Sequence, residues 1–312
     1  MGAQPPGQVA ETIGQIPFDD AFPGRSMEFM HDLHHDDRLT LAAVADLADR
    51  LPRRSVIADT AAQPLLVPQG GPPRGALQRP GDVIRDLHNA NAWLTLLMVE
   101  DDPGMAELMN TQLDQLELGM TAKQGKRVKM RKRVAFVFVS SPNSVTPVHF
   151  DIEHSLLMQV SGCKTVSIGR WENDAARRHE IDRYWDSGAH GRIETLQPEE
   201  TAYTMTPGRA VYIPPNTPHW VHNGPDISLS VTLTYFTPAT VRENLIEDFN
   251  SHLRRRHLNP REPGRSAAVD TAKVCAMGVW AIGRRLRSAA VGTKQRNGEP
   301  PAGGTGYRVE GS

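Results

Sequence analysis

Apolar and hydroxyl-bearing residues alternate strictly over residues 227–235, which read Ile-Ser-Leu-Ser-Val-Thr-Leu-Thr-Tyr. Successive side chains of a β-strand point to opposite faces, so this alternation predicts a strand with one apolar and one polar face. Hydroxyls are costly to bury without hydrogen-bond partners, so the polar face must line a wet cavity or face bulk solvent. We expect a cavity, with Ser230 and Thr232 among the residues that line it.

Shorter patterns elsewhere predict further strands and two helices. The strands are expected at residues 92–99, 135–140, 155–160, 165–168 and 210–213, with Gly162 and Pro207-Gly208 marking turns. A helix is expected at residues 39–51, capped by Thr40 and with an apolar stripe, and a second at residues 103–118. The stripe consists of Leu41, Val44, Leu47 and Leu51. Many short strands separated by turn residues favour a mainly β fold, a double-stranded β-helix of the jelly-roll or cupin type.

The 312 residues can form one sizeable core with additions. We predict an irregular and helical N-terminal extension at 1–90, a barrel at 91–240, C-terminal helices at 241–290 and a disordered tail at 291–312. The segment 267–287 contains an apolar block too short and too Gly-interrupted to span a bilayer. It can dock on the barrel, form a homodimer contact or lie on a membrane surface, and we rank these uses in that order.

Charge and cysteine content exclude several classes of protein. A net charge of -1 and a pI near 6.9 argue against attraction of the whole chain to nucleic acid or to an anionic membrane. The two cysteines, Cys163 and Cys275, lack zinc-site spacing and fit a reducing compartment. The N-terminus shows no basic region followed by an apolar run, so we expect a cytoplasmic location.

His149-Phe150-Asp151 and the later His219 supply a candidate metal site. On a strand, H-x-D spacing places His149 and Asp151 on one face while Phe150 points away. Two histidines and one carboxylate leave positions open on an octahedral ion, as in non-haem Fe(II) oxygenases. His154 and His222 have the wrong strand parity and are expected to point elsewhere. The cluster of His31, His34 and His35 is expected to be solvated.

Residues around this motif resemble the Jumonji C (JmjC) and cupin-like 2-oxoglutarate oxygenases, most closely the subgroup of the asparaginyl hydroxylase that acts on hypoxia-inducible factor. In that subgroup a threonine precedes the first histidine ligand by three residues and a lysine follows it by fifteen, as Thr146 and Lys164 do here. The second histidine follows an I-P-x-x-x-x-H segment, matched by Ile213 to His219. This chain has Ser155 and Thr232 where that hydroxylase has asparagines, which leaves the type of substrate open.

The resemblance implies Fe(II) bound by His149, Asp151 and His219, with 2-oxoglutarate as co-substrate and O₂ as oxidant. The residues agree independently, because a dianionic co-substrate needs a cation and a hydroxyl deeper in the pocket. Residues 222–235 contain no Arg or Lys, so the arginine used by other such oxygenases is missing and Lys164 fits the role. The co-substrate contacts would come from Thr146, Lys164, Ser155 and Thr232.

The expected activity is hydroxylation coupled to decarboxylation of 2-oxoglutarate to succinate. An N-demethylase would use the same centre, and a non-catalytic cupin that binds a metal or a small molecule is the alternative from another class. The substrate stays open among peptide, lipid and small molecule. A basic cluster over residues 123–133 either attracts an acidic substrate or is a solvated surface, and we favour the surface. Tyr184 and Trp185 either shape the substrate mouth or pack under a loop.

Overall fold

The structure of the protein is a computed structural model, which describes residues 23–61, 63–66, 79–125, 127–187 and 191–291. Much of the N-terminal extension that is expected to be irregular, and nearly all of the expected disordered tail, fall on residues 1–22, 67–78 and 292–312. Those residues lie outside the described part of the chain.

Two antiparallel sheets enclose a central cavity. The strands are β1 (Met27–Met30), β2 (Val56–Thr60), β3 (Ala92–Leu96), β4 (Arg131–Ser140), β5 (Val145–His149), β6 (His154–Ser161), β7 (Lys164–Gly169), β8 (Glu199–Met205), β9 (Arg209–Ile213), β10 (His219–Asn223) and β11 (Ser228–Phe236). One sheet has the order β1-β9-β6-β11-β4-β3-β2 and the other the order β5-β10-β7-β8. This is the jelly-roll core that the pattern of short strands predicted.

Helices cover the outside of the larger sheet and follow the barrel. They are α1 (Leu41–Arg50), α2 (Pro80–Arg85), α3 (Leu87–Ala90), α4 (Pro103–Gln124), α5 (Asp174–Ser187), α6 (Pro238–Arg254) and α7 (Ala267–Val291). Thr40 caps α1 as predicted, since its side chain accepts a hydrogen bond from the Ala43 N–H. Helix α4 runs six residues beyond the predicted end and stops at Gly125, whose φ of 63° is left-handed.

The two faces of β11 separate as the alternation predicted. Leu229, Val231, Leu233 and Tyr235 are buried in one cluster with side chains of α1 and α4, outside the barrel. Ser230, Thr232 and Thr234 line the cavity inside it. Burial of the apolar face against two helices fixes the register, because a shift by one residue would exchange the faces.

Strands β1, β2 and β8 were missing from the sequence-based prediction. β8 reads Glu-Glu-Thr-Ala-Tyr-Thr-Met and is mostly exposed at the edge of the smaller sheet, so it carries little apolar alternation. β1 and β2 are short edge strands within the segment expected to be irregular or helical. With β3, β2 widens the larger sheet beyond the jelly roll. The division of the chain at residue 90 stays a prediction.

The expectation that the histidine cluster is solvated is wrong for His31. Its side chain is 1% exposed, Nδ1 accepts from the Leu33 N–H at 3.1 Å, and Nε2 therefore donates to the Arg209 carbonyl at 3.2 Å. Burial lowers the pKa of His31 to about 4. His31 thus ties the end of β1 to the turn between β8 and β9, while His35 is exposed.

The aromatic pair Tyr184 and Trp185 and the basic cluster over residues 123–133 had two possible roles each in the sequence analysis. Tyr184 and Trp185 are buried in one cluster with Phe150, so they pack under the loop. In the basic cluster Arg133 pairs with Glu117 at 3.0 Å, and no described member of the cluster lines the cavity. Within the described ranges, no helix combines the length and the apolar content needed to cross a bilayer.

Candidate metal and co-substrate site

A β-bulge places Thr146 and His149 on the same face of β5. Across the strand pair, His149 opposes His219 and Thr146 opposes Val221, so two residues of β5 face the single Trp220 of β10. In a regular strand, side chains three residues apart point to opposite faces. The extra residue in the bulge brings Thr146 and His149 back to the same face. Both side chains therefore line the cavity. Pro147 lies in the bulge, where its missing N–H costs no regular ladder bond.

Asp151 reaches the cavity from a loop, which corrects the expectation that the H-x-D motif lies within one strand. β5 ends at His149, and the Phe150 N–H then donates to the Gly191 carbonyl at 2.9 Å. The Asp151 carboxylate is buried, with Oδ2 at 3.6 Å from Nε2 of His219. The phenyl ring of Phe150 points into the neighbouring apolar cluster, away from the cavity, as the spacing predicted.

His149, Asp151 and His219 each offer one ligand atom, and these atoms lie within 4.8 Å of one another. Nδ1 of His149 lies 2.8 Å from the Pro147 carbonyl and Nδ1 of His219 lies 2.9 Å from the Thr217 carbonyl. A carbonyl can only accept, so both Nδ1 atoms carry the proton and both Nε2 atoms are left as lone-pair donors. Burial lowers the pKa of His149 to about 4, which keeps it neutral at physiological pH. The donor set fits a divalent transition metal.

Two hydrogen bonds made by the backbone of Asn216 connect the segment before His219 to Asp151 and to Trp171. The Asn216 N–H donates to the Asp151 carbonyl at 2.6 Å, and the Asn216 carbonyl accepts from the indole N–H of Trp171 at 2.7 Å. Trp171 in turn packs edge-on against Phe150, with ring centroids 5.6 Å apart. Asn216 has a φ of 57°, a left-handed conformation that asparagine tolerates. The carboxylate and the second histidine are therefore held together by the protein itself.

Lys164 lies at the far end of the cavity from the histidines. On β10, its partner Asn223 is four residues beyond His219, a separation of roughly 13 Å along the strand. The ammonium group crosses to the other sheet and donates to the Ser230 hydroxyl at 2.8 Å. Burial lowers the pKa of Lys164 to about 7, and no described charge offsets that effect. A buried amine of this kind suits a ligand that carries a negative charge.

Ser155 and Thr232 add hydroxyl groups to the wall between the two ends. Both line the cavity, and their hydroxyl oxygens are buried without a hydrogen-bond partner in the described structure. Buried hydroxyls are normally paired, so these two positions suit a polar ligand or ordered water. Thr146, opposite Val221, lies midway between His219 and Asn223 on the neighbouring strand. The cavity thus contains all seven residues proposed from the sequence.

The two other histidines near the motif point away from the cavity, as predicted. Parity is not the reason for His154, because β5 ends at His149 and His154 begins β6 in the other sheet. His154 stacks on Tyr235 with ring centroids 4.8 Å apart, and its two nitrogens are hydrogen bonded to Tyr212 and Thr240. It therefore belongs to the packing outside the barrel. His222 is exposed.

Several cavity residues gave no sequence signal. Arg192 follows the insert that contains α5, and Asp59 and Trp93 come from the widened edge of the larger sheet. None of them belongs to a motif, and only the pairing of distant segments brings them to the cavity. A prediction of β2 beside β3 would have indicated the last two.

Fold and site together define a double-stranded β-helix protein with a two-histidine, one-carboxylate metal site. Residues 119–243, which include all seven site residues, match the JmjC domain family. The barrel is therefore similar to a JmjC domain. No curated protein sequence matches the chain.

Among solved structures, YcfD from Escherichia coli, a ribosomal oxygenase in complex with cobalt and 2-oxoglutarate, is similar to this chain with 16% identity and a TM-score of 0.46. The match covers 84% of this chain and 64% of YcfD, so the chain spans less than two thirds of that protein's length. The coconut allergen cocosin matches with 13% identity over 34% of this chain and 23% of that chain, at a TM-score of 0.24. Similarity at this level does not identify a substrate for this chain.

Proposed function

We propose that the protein is an Fe(II)- and 2-oxoglutarate-dependent oxygenase, and that it hydroxylates its substrate. The observation that carries the proposal is the position of Lys164. A buried amine with one hydroxyl partner shares a cavity with His149, Asp151 and His219. The backbone of Lys164 pairs with Asn223, roughly 13 Å along β10 from His219, and the long side chain extends from there into the cavity. A dianion with a chelating end and a free carboxylate matches both ends of such a cavity.

In this assignment His149, Asp151 and His219 hold Fe(II), and the bound metal supplies the reaction of O₂ with the co-substrate. Three protein ligands would leave room on the metal for the keto-acid end of 2-oxoglutarate. Lys164 and Ser230 bind the distal carboxylate, and the Thr146 hydroxyl lies between the two ends. The balanced reaction converts 2-oxoglutarate, O₂ and a substrate C–H bond into succinate, CO₂ and a C–OH group.

The protein contributes orientation and exclusion of water. The carbonyls that accept from Nδ1 fix the rings of His149 and His219, and the buried walls keep Asp151 and Lys164 out of bulk water. Electrostatic contacts are stronger in such a site than in water. These features also fit an N-demethylase, in which the hydroxylated methyl group leaves as formaldehyde.

The test is succinate release from 2-oxoglutarate by the Fe(II)-loaded protein under air. Without a substrate we expect slow turnover that is lost in Asp151→Ala and strongly reduced in Lys164→Ala. The matched control is Lys123→Ala, which removes an exposed lysine of the basic cluster. A protein that binds 2-oxoglutarate and metal but releases no succinate above the Asp151→Ala level is a non-catalytic cupin. Formaldehyde formed together with succinate when an N-methylated candidate substrate is added would assign the demethylase.

A further inference from the structure

The C-terminal helix α7 packs on α6 through a side that carries two charged residues. Asp270, Lys273 and Met277 are buried there, at a spacing that places them on one side of the helix. The Asp270 carboxylate accepts from the Gly264 N–H at 2.9 Å, and the Lys273 ammonium donates to the Arg261 carbonyl. Polar contacts therefore make up much of the attachment of α7 to the rest of the protein.

The opposite side of α7 exposes a stripe of apolar side chains. Ala272, Cys275, Ala276 and Val279 are all exposed, and Val279 is 71% exposed. Their spacing of i, i+3, i+4 and i+7 is the pattern that turns toward the core in an ordinary surface helix. In α7 the two charged residues face the protein and the apolar stripe faces outward. Such a stripe is stabilised when another apolar phase removes it from water.

Trp280 lies at the rim of this stripe. Its ring packs edge-on against His252, with ring centroids 5.8 Å apart, and the residue is still 43% exposed. Tryptophan is enriched at the boundary between a membrane and water, because its ring is largely apolar while its N–H is polar. The position of Trp280 therefore fits a helix that lies at such a boundary.

Positive charge follows the stripe in the sequence. From Val274 to Gly298 the chain has five Lys or Arg residues and no Asp or Glu, and three of the five lie within α7. The whole chain carries a net charge of -1, so the remainder of the chain is acidic. The positive charge is thus concentrated in one segment, where it complements a surface that carries many negative charges.

A second copy of the chain matches this stripe less well than a membrane does. From Ala272 to Val279 the stripe is roughly 10 Å long and about as wide as one helix. Its area is on the order of 100 Å², whereas a stable protein interface buries about 800 Å² on each partner. A membrane surface adds electrostatic attraction to a small apolar contact, and interfacial helices combine these two contributions.

We propose that α7 binds the surface of an anionic lipid bilayer. The stripe from Ala272 to Val279 enters the boundary between headgroups and acyl chains, and the positive charge of the segment that follows is attracted to the anionic headgroups. The helix then lies along the bilayer surface while its polar side stays on α6. This inference does not depend on the reaction that the protein catalyses.

Co-sedimentation of the full chain with lipid vesicles tests the proposal. Phosphatidylcholine vesicles that contain about one third phosphatidylserine should bind at least tenfold more tightly than vesicles of phosphatidylcholine alone. High salt should remove most of this preference, because it screens the attraction between charges at the surface.

The apolar contribution is tested by Val279→Asp, which puts a charge in the stripe. This variant should bind the anionic vesicles at least tenfold less tightly than the wild type. The matched control is Leu118→Asp on α4, because Leu118 is also 71% exposed and should not affect binding. The urea midpoint of Val279→Asp should match that of the wild type, since exposed positions contribute little to stability. Ala276→Asp tests the same stripe at a second exposed position.

The charge contribution is tested by a triple variant that combines Arg284→Gln, Arg285→Gln and Arg287→Gln. It should also lose at least tenfold in affinity for the anionic vesicles. The control variant makes the same change at three exposed positions of the basic cluster, Arg127, Lys129 and Arg131.

Three results would overturn the proposal. The first is absence of vesicle binding, and the second is equal binding to neutral and anionic vesicles. The third is an equal loss of binding in the variants of α7 and in their controls. Sedimentation velocity then identifies the other occupant: a dimer that forms without lipid and is lost in Val279→Asp would assign the stripe to a second copy of the chain.

Discussion

If Lys164 binds 2-oxoglutarate as proposed, its lowered pKa should make the affinity for 2-oxoglutarate depend on pH above neutrality. Burial lowers the pKa of its amine from 10.5 to about 7, so the free protein loses this proton as pH rises through 7. The distal carboxylate needs the protonated amine, so binding at higher pH must take up one proton. The affinity for 2-oxoglutarate should therefore fall by nearly tenfold for each pH unit between pH 7.5 and 9. Tenfold corresponds to about 1.4 kcal/mol of binding free energy.

Isothermal titration of Mn(II)-loaded protein with 2-oxoglutarate measures this effect. Titrations at pH 7, 8 and 9, each in two buffers of different ionisation enthalpy, give both Kd and proton uptake. Uptake should rise from about half a proton at pH 7 toward one at pH 9, as a pKa near 7 requires. Lys164→Arg is the control, since a guanidinium stays charged throughout this range. A wild-type Kd that is constant from pH 7 to 9 would refute the argument.

The same pKa shift has an opposite consequence for stability. Between pH 10.5 and about 7 the unfolded chain binds a proton at Lys164 that the folded, ligand-free protein does not, so stability falls as pH falls across that window. The shift in the pKa of Lys164 from 10.5 to about 7 corresponds to a loss of up to about 5 kcal/mol in unfolding free energy. Lys164→Met should therefore raise the unfolding free energy of the ligand-free protein at pH 7.5, measured by urea titration. A variant less stable than the wild type would contradict this account.

Four further outcomes follow from the geometry. His149→Ala should abolish binding of Mn(II) in anaerobic calorimetry, and unchanged binding would place the metal elsewhere. Thr146→Val should cost about 1 kcal/mol in 2-oxoglutarate binding, less than the 2–3 kcal/mol expected on loss of the lysine charge. Trp171→Phe, which removes the N–H bonded to Asn216 but keeps an aromatic ring, should weaken Mn(II) binding about fivefold, or 1 kcal/mol. The pKa of His31 is about 4 in the folded protein and 6.5 in the unfolded chain, so the unfolded chain takes up a proton first as pH falls from 6.5 to 4. Over that range the unfolding free energy of the wild type should drop by about 3 kcal/mol more than that of His31→Gln.

The sequence by itself determined the features that depend on local periodicity and spacing. Alternation over residues 227–235 gave the strand and both of its faces, because side-chain direction along a strand depends only on parity. The cap at Thr40 followed from residues within one turn of a helix. The seven residues proposed for the site came from the spacing of the H-x-D motif and from the resemblance to 2-oxoglutarate oxygenases, and all seven line one cavity. Their roles stay predictions until they are measured.

Tertiary structure alone decided the features that arise between distant segments. The bulge in β5 depends on pairing with β10, and the spacing from Thr146 to His149 works only because of it. His31 is buried because the turn before Arg209 lies over it, a contact 178 residues away in the chain. Arg192 reaches the cavity because the segment that contains it pairs with His149. Local sequence patterns do not predict such pairings. The order of the strands, and the segments that pair with an edge strand, depend on how the whole barrel packs.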